Sequence, residues 1–594
     1  MNKHLSGVHH DGSANFVSND APRIGETITL TLRTKKSLGV ERVTLRAVHD
    51  GEPVTIAAEK SESTATDDYW RAELLIRNIR QHYRWLIIGG TLEYGWLNAA
   101  GFYHRDVTDA FDFAVTAYER TPDWLHTSVA YQIFPDRFAT SGKIKEVPEY
   151  LVPRNWNDLP EGRSKNTGIE YFGGDLWGIA DKLDYLEKLG VNIVYMTPIF
   201  PARTTHRYDA SSFDEIDPLL GGNDALIHLV NEAHKRSMKV IGDITLNHCG
   251  NSHEWFTEAQ SGHPTYSQFF TFNPSLPHGY ECWLGHKHLP KFDYRSTELR
   301  ELLITGPHSI LRKWLRPPFS LDGWRVDVAN MSGRQADIDL THEIARLARV
   351  AISEEGDDKI LIAEHFHDAG ADLPGDGWHG TMNYAAFLRP VLSWLVGKDF
   401  QEFTENNPIP MPRTTAIEMV DAIEEFSARM PWRSRLSSWT LLCSHDTARV
   451  RSIVSDAPHQ LAALGLLVGL PGTPMVFMGD EIGATGLLGE SARTTMPWDS
   501  DLESNEMLRH YRELLQLRRE QKTLATGGLE WLSIQDDAVL FERRLDKESI
   551  KIAVARAKCE IDISSHTVSE VLYGSAGVKQ DTLIFEDAGV MMWR

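Results

Sequence analysis

The sequence predicts an α/β fold built around a (β/α)8 (TIM) barrel, flanked by a β-sandwich on its N-terminal side and a smaller β-domain on its C-terminal side. Three observations carry this. Short alternating apolar and polar runs fill the first 120 residues, apolar strands then alternate with amphipathic helical segments, and strand-like texture returns in the last 70 or so.

The first region, 1–120, contains ETITLTLRT, RVTLRAV, YWRAELLI and HYRWLIIGG, separated by turn residues such as Asp50-Gly51 and Gly89-Gly90. Alternation with period two places one face of each strand inward, the pattern of a sandwich. Such a module suits either sugar binding or a dimer contact. From 121 to 522 eight strand candidates follow in order. They are VAYQIFP (129–135), VNIVYMTP (191–198), KVIGDITLN (239–247), DGWRVDVA (322–329), ILIAEHF (360–366), GTMNYAAF (380–387), TLLCSHD (440–446) and PMVFMGDE (474–481). Helical stretches such as DKLDYLEKLG, NDALIHLVNEAHKRS and the run 339–351 lie between them. Eight such units close a barrel whose site forms at the C-terminal strand ends. The gap after the third strand far exceeds the usual βα connection of about two to six residues, so 249–316 is expected to be an inserted subdomain. The remainder, 523–594, holds LEWLSIQ, AVLFERRL and KIAVARA.

Composition excludes several classes. The net charge of -22 repels a polyphosphate backbone, so nucleic acid is not an expected partner. The four cysteines are scattered without CxxC spacing, which predicts neither a zinc site nor a disulfide framework. No run of 18 apolar residues is present, so no membrane partner is expected, and the opening residues lack the apolar segment of a signal peptide. Together these predict a cytoplasmic enzyme. The 17 Trp and 17 Tyr suit stacking on sugar faces as well as core packing.

On the predicted barrel, Asp243, Asp327, Glu364 and Asp446 fall at or near the C-terminal ends of strands three, four, five and seven. Any one of them alone reads as a surface or capping residue. Four converging on one mouth, each with a His or Arg beside it, read as chemistry. Glycoside hydrolysis needs one carboxyl to protonate the leaving oxygen and another to meet the oxocarbenium charge. Arg325, two residues before Asp327 and on the same side of the strand, is expected to keep Asp327 ionised as the nucleophile. Glu364, near that negative charge and apolar neighbours, is expected to have a raised pKa and serve as acid/base.

DITLNH (243–248), GWRVDVAN (323–330), LIAEHFHD (361–368) and LLCSHDTARV (441–450) resemble the four signature strands of the α-amylase family. The flanking β-domains resemble the neopullulanase, cyclomaltodextrinase and maltogenic amylase branch, and LPKFD (289–293) is similar to that branch's MPKLN motif, departing at Phe292 and Asp293. The resemblance implies Asp327 as nucleophile, Glu364 as acid/base and Asp446 as the third carboxylate. It further implies that His248 and His445 hydrogen-bond the sugar, Tyr208 stacks beneath it, and Asn330 and Phe366 face the leaving group. Asp243 reads as structural, holding Arg325 or the strand end. No metal ligand set is assigned and no cofactor is expected. Relatives often bind calcium in a loop after the first strand, yet FPDRFATSGKIKE (134–146) lacks the oxygen ligands, and Gly174-Asp175 reads as a tight turn.

The implied activity is retaining hydrolysis of α-1,4 bonds, with α-1,6 bonds as a further target, in cyclodextrins, cyclic maltosyl-maltose, pullulan fragments or maltooligosaccharides. A homodimer is implied, with the sandwich narrowing the cleft. An α-glucan transglycosylase on the same scaffold is the first alternative, and an inactive sugar-binding barrel the remote one.

Overall fold

In the computed structural model, residues 2–144, 146–396, 412–487 and 489–594 are described. Eight parallel strands close the predicted barrel: β1 (Ala130–Ile133), β2 (Ile193–Met196), β3 (Lys239–Thr245), β4 (Gly323–Asp327), β5 (Ile360–His365), β6 (Gly380–Asn383), β7 (Trp439–Leu441) and β8 (Thr473–Phe477). All eight coincide with the strands read from the sequence, most of them trimmed at their ends. The main difference is at β7, which stops at Leu441, so Asp446 stands beyond the strand on an irregular segment.

Register explains why acidic residues gather. Asp243 pairs with Arg325, Thr245 with Asp327 and Arg325 with Ile362. Partners across parallel strands share a face and side chains alternate. Asp243, Arg325, Asp327 and Glu364 therefore all project to the same side, into the barrel.

The outer helices follow the apolar period. Gly222–Lys235 buries Ala225, Leu226, Leu229, Val230 and Ala233. Helix Ala457–Gly469 differs, being almost wholly buried. One side lies on the barrel and the other under the C-terminal sheet, where a Cβ on Gly465 would come within 2.6 Å of Val590. Glycine is needed there for the close approach.

The N-terminal domain is a nine-stranded antiparallel sheet in which the long strand Glu52–Ser63 pairs with Arg42–His49 on one side and Asp67–Leu75 on the other. Its inward residues, among them Leu30, Leu45, Trp70, Tyr83 and Trp85, form a separate core. It seats on helix Ala416–Ser427 through Lys3 and His4 to Asp421, and on the C-terminal domain through an Arg33–Glu530 ion pair and Asp11 to the Leu529 amide. The C-terminal domain holds one five-stranded and one three-stranded sheet. Between β3 and β4 the chain makes short helices such as Glu254–Gln260 and isolated bridges, including His248 to Lys291. No described helix is long and apolar enough to cross a membrane.

Candidate active site

Arg325 is the centre of the site. Its Nη1 lies 2.9 Å from both oxygens of Asp243 and 3.0 Å from Asp327 Oδ1. Its Nη2 lies 2.7 Å from Glu364 Oε1, an ion pair whose angle is too oblique for a good hydrogen bond. All four side chains are buried. One guanidinium thus gathers carboxylates from three successive strands.

The two oxygens of Asp327 differ. Oδ1 is held by Arg325, whereas Oδ2 has no hydrogen-bond partner and faces His248 Nε2 at 4.0 Å. A buried carboxylate oxygen without a donor is costly unless something else occupies the space before it. Glu364 is held at its other oxygen, Oε2, which accepts the Val328 amide N–H at 2.7 Å.

A second chain of hydrogen bonds fixes the histidine. Gln132 Oε1 accepts the His445 backbone N–H at 3.2 Å, which orients the amide so that its Nε2 donates to His445 Nδ1 at 2.8 Å. The imidazole proton is therefore on Nε2, 2.8 Å from Tyr208 Oη and 3.1 Å from Asp446 Oδ2. Tyr208 Oη in turn donates to Asp243 Oδ2 at 3.0 Å, and Tyr195 Oη donates to the same oxygen at 2.7 Å. Burial, reinforced by Arg493 and Arg325, holds His445 neutral, its pKa far below the usual range. The Tyr208 and His445 rings lie nearly parallel, 5.5 Å apart. Arg493 donates to Asp446 Oδ1 at 3.1 Å and, through Nε, to the His445 carbonyl at 2.8 Å.

One expectation is corrected. Arg325 does not favour Asp327 over Glu364, because its two nitrogens reach both. Burial raises the carboxyl pKa of each, Asp327 further through Glu364 and Glu364 further through Asp446, with Arg325 opposing in both cases. The site is a coupled set of acids around a shared cation, and the division of roles does not follow from that cation alone.

Asp327, Glu364, Asp446, Tyr208, His248, Arg325 and His445 come together in this way. Asn330 and Phe366 take no part in the hydrogen bonds described above. Asn330 sits half-buried on the turn after β4, and its contact is a carbonyl accepting from Arg334 at 2.9 Å. Phe366 is 37 % exposed and stacks on Tyr384 with ring centres 4.0 Å apart. Asp243 holds Arg325 from below, as its sequence position suggested. Gln132, Tyr195, Arg493 and Trp283 were not singled out from the sequence. Trp283, from the inserted segment, stacks over His248 with centroids 5.9 Å apart. A polar Gln inside the apolar run YQIFP was a signal that could have been used.

Among the described residues no group of three or more His, Cys, Asp or Glu is arranged to hold a metal. Asp175 is occupied as an N-cap, accepting from the Gly178 amide at 2.7 Å and from Ser141 Oγ at 2.8 Å.

A closed parallel barrel carrying this carboxylate cluster at its C-terminal mouth defines a carbohydrate-active barrel class. The chain belongs to the alpha-amylase family, residues 132–537 matching the alpha amylase catalytic domain. It is 31% identical over 511 residues to the intracellular maltogenic amylase of Bacillus subtilis, covering 82% of this chain and 80% of that one. A solved cyclomaltodextrinase superposes with a TM-score of 0.74 at 26% identity, covering 100% of both chains. The cyclic alpha-maltosyl-(1→6)-maltose hydrolase from Arthrobacter globiformis, in complex with cyclic alpha-maltosyl-(1→6)-maltose, gives 0.67 at 29% identity over 80% of this chain and 100% of that one. The chain spans 32% to 47% of the length of the amylopullulanases it also matches.

Proposed function

We propose that this chain is a retaining glycoside hydrolase that cleaves α-1,4 glucosidic bonds, and α-1,6 bonds secondarily, in cyclic or short maltooligosaccharides. The observation that carries the reading is the asymmetry of Asp327: Arg325 anchors Oδ1, and the buried Oδ2 has no donor and lies 4.0 Å from His248 Nε2. A nucleophile needs one such oxygen.

In this reading Asp327 Oδ2 attacks the anomeric carbon while Glu364 gives its proton to the departing glycosidic oxygen. The resulting glycosyl-enzyme ester is opened by water, which Glu364, now the base, deprotonates. Asp446 and His445 engage hydroxyls of the distorted sugar, Tyr208 lies beneath its ring, and His248 donates from the side. Asn330 and Phe366 contact the leaving portion. Asp243, Tyr195 and Gln132 hold these groups without touching sugar. The names of the relatives support small or cyclic α-glucans as substrates.

The proposal includes a cytoplasmic homodimer. An intracellular relative supports the first part. The second rests on the resemblance of the N-terminal β-domain to that of the branch named above.

The test is product analysis with cyclomaltodextrin, pullulan, panose and cyclic maltosyl-maltose side by side, with the anomer of the first product read by proton NMR. The α-anomer and short products are expected. First-formed β-anomer would overturn the retaining mechanism, and products longer than the substrate would reassign the chain as a transglycosylase.

A further inference from the structure

Val328 follows Asp327 directly and has φ 42° and ψ 45°, the left-handed region. A β-branched residue is disfavoured there because its Cβ crowds the backbone, so the conformation persists only where its surroundings impose it. Val328 ends β4 and turns the chain into the short helix Ala329–Met331. The turn interrupts pairing with β5, whose last partner on β4 is Val326 with Ala363. The Val328 N–H is thereby released from the sheet, and it donates to Glu364 Oε2 at 2.7 Å.

We propose that the backbone N–H of Val328, freed by this strained turn, is a positioning group for Glu364. It couples the backbone beside the nucleophile to the orientation of the acid on the neighbouring strand. An amide can only donate, so Oε2 is always the accepting oxygen. When Glu364 is protonated, the N–H favours Oε2 as its carbonyl oxygen, while Arg325 Nη2, 2.7 Å from Oε1, and Asp446 bear on the same carboxyl and are left in place by a change confined to the Val328 amide. When Glu364 has given that proton away, the N–H stabilises the carboxylate formed. One fixed donor thus serves both halves of the cycle without moving. Valine stiffens the turn that a glycine would loosen.

The inference rests on Glu364 being the acid/base, and the experiment separates the two ideas. Replacing the Val328 amide by an ester, through incorporation of the α-hydroxy analogue of valine, removes the N–H and keeps the side chain. A donor to the ionised form lowers a carboxyl pKa, so its loss should move the basic limb of kcat/KM upward by about one pH unit. Turnover of unactivated maltooligosaccharides should fall more than that of an aryl α-maltoside with a good leaving group. Val328→Asn, which tolerates the left-handed region and keeps the N–H, should leave the basic limb where it is. An ester enzyme with an unmoved basic limb overturns the role of Val328. A basic limb that moves equally in Val328→Asn also overturns it, since the turn and not the N–H would then be responsible. Failure of Glu364 as the acid would show instead as near-normal turnover in Glu364→Gln, whatever the ester does.

Discussion

Gln132 offers the sharpest test of the site's architecture. Replacing it by leucine keeps the volume and removes both hydrogen bonds to His445, the 2.8 Å donor to Nδ1 and the 3.2 Å acceptor of the backbone N–H. Both His445 groups are fully buried and are left unsatisfied, each at a cost of about 1–3 kcal/mol. The ring loses the donor to Nδ1 that fixes its proton on Nε2, and only the Asp446 carboxylate, 3.1 Å from Nε2, still favours that tautomer. The alternative tautomer places the proton on Nδ1 and reverses the bond to Tyr208, which then cannot donate to Asp243. If about 1–3 kcal/mol of alignment at the transition state is lost, kcat/KM falls roughly ten- to a hundredfold. Hydrolysis of cyclomaltodextrin, with folding checked by circular dichroism, reads this directly. A folded Gln132→Leu enzyme within twofold of the parent would refute the claim that a chain of oriented hydrogen bonds holds His445.

Further outcomes follow from the same geometry. Asp327→Asn should abolish turnover and leave the circular dichroism spectrum unchanged, since shape is kept and the nucleophile is lost; near-normal rates would end its assignment. Glu364→Gln should lose most activity on natural glucans and retain more on substrates whose leaving groups need no protonation. Equal losses on both would count against an acid. Glu530 governs acid sensitivity of the domain contact. Burial pushes its carboxyl up, but His9 and Arg33 outweigh that and hold it at about 2, below its ordinary 4.5. A depressed carboxyl stabilises the fold above its unfolded pKa, and that contribution is lost as pH falls from about 4.5 toward about 2. The thermal midpoint of the parent should therefore exceed that of Glu530→Gln at pH 7 and converge with it in that window. A constant difference across pH would exclude this linkage.

The barrel was legible because most of its strands are apolar runs separated by helical segments, and the site because four acids, each beside a His or Arg, fall at or near the ends of those strands. Side was legible as well: Arg325 and Asp327, two residues apart, had to share a face. Sharing across strands was not. Nothing in the spacing shows that Glu364, on the next strand, reaches the same guanidinium, so the expected electrostatic division between the two acids was too simple. Arg493 was invisible for another reason. It enters from an irregular segment after β8, where no period predicts direction. Trp283 arrives from the inserted segment, and Val328 looks like any strand valine until its φ is known.

Helix Ala457–Gly469, enclosed on both sides, has a consequence for the tail of the chain. A polypeptide ending near Gln521 would expose the outer side of that helix, with its buried Leu and Val residues, to water. Such a shortened protein should be sticky and poorly soluble even if its barrel closed. The small terminal sheets are thus less an appendage than the lid of a hydrophobic seam, and evolutionary loss of one would demand rewriting the other.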